Sequence, residues 1–130
     1  MKSYRKGHDF EILIAKQLRQ AGFDAKRMPR SGAIDGLDSD LFVPELPILW
    51  ELKKQESWSV GAYMKQAEDN AEKTNKIPVV VMSKNNLPDP YTVIKLSDFI
   101  LLLQRAFIEN KLPIMVGVGA YTKHKQLKKG

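Results

Sequence analysis

At 130 residues the chain has the size of one domain, long enough to bury a core without staples. It contains no cysteine, which excludes disulfides, a thiolate zinc site and a cysteine nucleophile. Its net charge of +6 and pI near 9.5 favour a polyanionic partner, because basic surfaces bind nucleic acid with release of counterions. The most apolar run, Phe99 to Leu103, is far too short to span a bilayer, and no apolar signal core follows the basic start Met1-Lys-Ser-Tyr-Arg-Lys6. No membrane partner is expected, and a reducing, cytoplasmic setting fits.

The first expected element is a helix from about Ser3 to Ala21, with Phe10, Leu13, Ile14, Leu18 and Ala21 as its apolar stripe and Gly22 as its C-terminal cap. A short strand is expected between Phe23 and Met28. A polar loop follows, through Pro29-Arg30-Ser31-Gly32 to Asp38. Two strands come next, at about Ser39–Val43 and Ile48–Lys53, joined by the turn Pro44-Glu45-Leu46-Pro47. Ser57 or Ser59 can cap a second helix running to about Asn75, with Tyr63, Met64, Ala67 and Ala71 on its apolar face. The continuous apolar run Pro78 to Met82 suits a buried central strand. Tyr91 to Leu96 reads as a further strand, and Ser97 as the cap of a third helix through about Phe107. A basic C-terminal extension, about 112–130, has one more candidate strand at Ile114–Val118 and ends in Lys123, Lys125, Lys128 and Lys129. The order implies an α/β fold in one domain, a mixed central β-sheet flanked by helices.

The chemistry concentrates in the two strands around Pro44–Pro47. If Val43 and Ile48 flank a four-residue turn, Asp40 faces Glu51 across a hairpin. Strand alternation then puts Lys53 on the face of Glu51, with Trp50 and Leu52 on the other. Opposed carboxylates about 5 Å apart destabilise a sheet, by roughly 3 kcal/mol at an effective dielectric of 20. A shared proton or a hard cation offsets that cost. Oxygen donors without cysteine or clustered histidine suit Mg2+ or Mn2+ rather than zinc. Glu11 falls within the apolar stripe of the first helix and is a candidate fourth member.

At these residues the sequence resembles the PD-(D/E)xK nuclease superfamily, and most of all its archaeal-type Holliday junction resolvase branch. The matching pieces run in order: Arg5-Lys6-Gly7 with Phe10-Glu11; Gly22-Phe23; Arg27-Met-Pro-Arg-Ser31-Gly32; Asp40 before apolar residues; Glu51-Leu-Lys53; and a helix carrying Gln66. Ser39, where the signature has proline, is a departure. The resemblance implies a restriction-endonuclease-like fold. It implies that Asp40 and Glu51 ligate Mg2+ (with Mn2+ as substitute), that Glu11 completes the site, and that Lys53 assists the attacking water. Ser31 would sit near the scissile phosphate, and Gln66 is a further site candidate. Arg5, Lys6, Arg27, Arg30 and Lys54 would hold DNA phosphates. The implied activity is resolution of four-way DNA junctions by a homodimer, in the host cytoplasm if the chain is phage-encoded.

Two alternatives stand beside it: a restriction- or repair-type nuclease on the same fold, and a non-catalytic nucleic-acid-binding protein. Gly117-Val-Gly119 lacks the third glycine and following helix of a dinucleotide site. No serine-centred elbow supports triad chemistry.

Overall fold

The computed structural model describes residues 2–28 and 38–109, with side chains from residue 7 onward. Arg30, Ser31, Gly32, the candidate strand at Ile114–Val118 and the C-terminal lysines lie outside the described residues, as do the side chains of Arg5 and Lys6. The chain divides into two compact units, Met1–Ile94 and Lys95–Gly130.

The first unit opens with α1 (Lys2–Gln20). Its end is set by Gly22, whose φ of 104° lies in the left-handed region. That conformation lets Gly22 N–H donate to Arg19 O and Phe23 N–H to Leu18 O, both at 3.0 Å, closing the last turn. Phe10, Ile14 and Ala15 are buried, but Leu13 and Ala21 are exposed. The buried stripe is therefore rotated toward Ala15 relative to the expected one.

The strands are β1 (Lys26–Arg27), β2 (Leu41–Phe42), β3 (Ile48–Lys54), β4 (Ile77–Ser83) and β5 (Tyr91–Ile94). β1 and β2 form an antiparallel pair. The main sheet has the order β3-β4-β5, with β3 and β4 parallel and β4 and β5 antiparallel. It is the mixed sheet expected. α2 (Val60–Ala71) forms the crossover between β3 and β4, and α1 and α2 both pack on β3.

One face of the sheet closes over α2: Leu49, Val80 and Met82 pack with Tyr63, Ala67 and Ala71, and Met64 and Trp58 lie against them. Every residue of β4 is buried, as its unbroken apolar sequence requires. Pro78 sits inside this central strand, paired with Leu49, while the preceding Ile77 N–H donates to Pro47 O at 2.7 Å. Ser59 holds the N-cap position of α2 without a side-chain cap bond.

The second unit opens with α3 (Leu96–Gln104), continued by a π-helical turn at Arg105–Glu109. Lys95, not Ser97, is at its N-cap, and the preceding strand ends at Ile94 rather than Leu96. Leu96, Phe99, Ile100, Leu103 and Phe107 recur at helical spacing and are all exposed. Among the described residues no helix is long and apolar enough to cross a membrane.

Candidate active site

The segment before β2 is held against β3 by side chains, not by the regular hairpin that the Pro44–Pro47 turn suggests. β2 pairs with β1, and one backbone bond joins the segment to β3: Asp40 N–H donates to Trp50 O at 2.8 Å. Two side chains make the remaining links. Trp50 N–H donates to Ser39 Oγ at 2.8 Å, and Leu52 N–H donates to Asp40 Oδ2 at 2.8 Å. The expected cross-strand facing of Asp40 and Glu51 is thus corrected. Asp40 turns its carboxylate along the edge of β3 and takes the amide of Leu52, next to Glu51.

Ser39 is buried, and its hydroxyl also donates to Leu41 O at 2.7 Å. It therefore bridges the β2 strand and β3 on either side of Asp40. Sequence reading treated Ser39 only as a departure from a motif; its burial beside the candidate carboxylate of Asp40 is seen only in the fold. Replacing Ser39 by alanine leaves the buried Trp50 N–H without its acceptor. We expect a loss of about 1–3 kcal/mol in a urea titration, with threonine recovering most of it.

Glu51 is in the middle of β3, paired with Val80 of the buried strand β4, and is itself only 5% exposed. Burial is the main reason its carboxyl is pushed up from 4.5 to about 7, and the charge of Asp40 adds to the shift. Lys53 works in the opposite direction, with its ammonium 3.4 Å from Glu51 Oε1. Asp40 is raised as well, chiefly by burial; the Leu52 amide bond opposes this, and the charge of Glu11 reinforces it. A buried and a partly buried carboxyl that both resist ionisation, with one lysine at Glu51, leave uncompensated negative charge when they do ionise.

Lys53 is fixed from a second side. Its ammonium lies 5.4 Å from the centroid of the Tyr63 ring. Tyr63 is anchored in turn by donating its hydroxyl to Gln55 Oε1 at 2.5 Å. Sequence reading assigned Tyr63 only to the apolar face of α2; its helical spacing with Ala67 and Ala71 gave no hint of contact with Lys53.

The other candidates divide. Glu11 accepts two bonds from Arg27, from Nε and Nη2, both at 3.1 Å to Oε1. Arg27 is therefore engaged with a carboxylate, and Glu11 reaches Asp40 through its charge. Gln66 lies on the exposed side of α2, and strand alternation puts Lys54 on the opposite face of β3 from Lys53.

The donor chemistry fits a hard divalent cation at Asp40 and Glu51: carboxylate oxygens, shielded from water, with an excess of negative charge to neutralise. Among the described residues no three carboxylate or imidazole groups stand close enough to hold one ion together, so Glu11, in its bond to Arg27, is not a third donor in this arrangement.

No curated protein matches the chain. Among solved structures it is similar to Hjc, a Holliday junction resolvase from the archaeal hyperthermophile Archaeoglobus fulgidus, at 15% identity and a TM-score of 0.47, covering 68% of this chain and 88% of that one. Residues 2–129 match the family described as "Phage putative PDDEXK endonuclease". That match takes in nearly the whole sequence, including Asp40, Glu51 and Lys53, and the chain belongs to this PDDEXK endonuclease family.

Proposed function

We propose that the protein is a divalent-metal-dependent DNA endonuclease selective for branched DNA, and that its substrate is the four-way junction, cut by a homodimer. The observation that carries the reading is the trio of Asp40, Glu51 and Lys53: a partly buried and a buried carboxyl, both with raised pKa, and an ammonium 3.4 Å from Glu51, in a PDDEXK endonuclease. Asp40 and Glu51 would hold Mg2+, or Mn2+ in its place. When bound, the cation polarises the scissile phosphate and activates water for in-line attack.

The chain's own groups do the rest. Ser39 and the Leu52 amide keep the Asp40 carboxylate in one orientation, so that no reorganisation is needed at reaction. The Lys53 ammonium, held between Glu51 and the Tyr63 ring, is placed to orient the attacking water or to steady a phosphoryl oxygen. Sequence-independent attraction to phosphates suits a chain with net charge +6. The exposed stripe of Leu96, Phe99, Ile100 and Leu103 supports a second copy as partner.

The deciding experiment is a synthetic four-way junction incubated with the protein, with and without Mg2+, in excess linear duplex. Symmetric paired nicks only with metal are expected. Cutting of the linear duplex instead would move the reading to a restriction- or repair-type nuclease. Binding without any cutting in Mg2+ or Mn2+ would make it a non-catalytic nucleic-acid-binding protein.

A further inference from the structure

Tyr91 opens β5 with 55% of its surface exposed, an unusual setting for a large ring on a sheet. It makes an edge-on contact with Trp58, with centroids 5.7 Å apart and an interplanar angle of 75°. Trp58 is pinned: its Nε1–H donates to Ser83 O at 3.1 Å, at the end of β4, and the ring lies against the core under α2. The ammonium of Lys84, the next residue, is 5.5 Å from the Trp58 ring centroid. Two rings and a cation are thus fixed together at the surface, where the cation adds affinity for phosphate.

Their position relative to the active site follows from the register. Lys53 pairs with Met82, and Met82 pairs with Tyr91. Paired residues share a face, so Tyr91 stands on the face of Lys53 and level with it, two strands away. Two interstrand spacings are roughly 10 Å, about three base steps along a stacked strand.

We propose that Tyr91, with Trp58 and Lys84, is a platform for an unstacked nucleobase at the branch point, about three steps from the cleaved phosphate. The proposal rests on the nuclease reading above and deepens it by naming what marks the substrate. A base inside a duplex has both faces covered by its stacked neighbours, whereas a base at a branch point has an open face that an exposed ring can take. Stacking is indifferent to which base it is, so the platform selects structure rather than sequence.

The test is binding in EDTA, which separates it from cutting. A fluorescent adenine analogue, 2-aminopurine, is placed at successive positions around the branch point of a junction. Quenching at a position about three steps from the nick site is expected with the wild-type protein. Tyr91→Ala should lose that quenching and bind the junction roughly 5- to 100-fold more weakly, with affinity for a matched linear duplex unchanged. Tyr91→Phe should retain both. Junction affinity unchanged in Tyr91→Ala, or lost equally on duplex, overturns the platform even if the wild-type protein cuts. A wild-type protein that quenches the probe but never cuts with Mg2+ or Mn2+ overturns the nuclease reading and leaves the platform standing.

Discussion

An Asp40→Asn protein will bind branched DNA as well as the wild type does but cut it at least about a thousandfold more slowly. The substitution separates the two tasks of this side chain. The Leu52 amide needs only an oxygen acceptor, which the asparagine amide supplies, so the segment stays docked on β3. The charge is what a hard cation requires, and asparagine does not replace it. The check is single-turnover nicking of a labelled junction beside a gel-shift titration. Cutting at the wild-type rate would remove Asp40 from the metal site. Loss of binding together with cutting would mean that the carboxylate matters for the fold instead.

The second large effect is on stability. Glu51 titrates near 7 in the folded chain and near 4.5 when unfolded. Between those values the folded state keeps a proton that the unfolded state has lost, so stability falls as pH rises through this window and the full penalty is present above pH 7. Allowing for solvent screening, the loss for the metal-free protein is on the order of 2–3 kcal/mol. A cation bound by the ionised carboxylates reverses it. Mg2+ should therefore raise the melting temperature at pH 8 by roughly 5–10 °C and do much less at pH 5, where Glu51 is protonated. Melting curves in EDTA and in Mg2+ at the two pH values measure this. Glu51→Gln should flatten the pH dependence and abolish the Mg2+ shift. Equal Mg2+ shifts at both pH values would argue for generic ion binding elsewhere.

The sequence carried the element order well because its signals are strong where burial is one-sided or complete. The run Pro78 to Met82 reads as a buried central strand from its apolar sequence, and β4 extends it by one buried residue at each end; the α2 face of Tyr63, Ala67 and Ala71 follows from helical spacing. The site was legible as residues but not as geometry. Turn length predicts register only when ladder bonds are made by backbone, and here Ser39 Oγ and Asp40 Oδ2 take the amides of Trp50 and Leu52. The same side-chain substitution hid the pairing of β2 with β1, residues 14 or more apart in sequence. Arg27 is expected at DNA phosphates from the family resemblance; its bond to Glu11 joins residues 16 apart in sequence, beyond any local pattern.

Pro78 closes off the sheet where β5 stops. Ile77 N–H points to the β3 side, so alternation turns the next backbone nitrogen to the β5 side. β5 reaches only as far as Ile94, which pairs with Val79, leaving Pro78 one step past its end. A proline there has no hydrogen to donate, and its ring occupies the place of a bonding partner. The ladder between β4 and β5 therefore cannot run on past Val79, and this fixed end-point holds the register of β5 against slipping along the buried apolar strand.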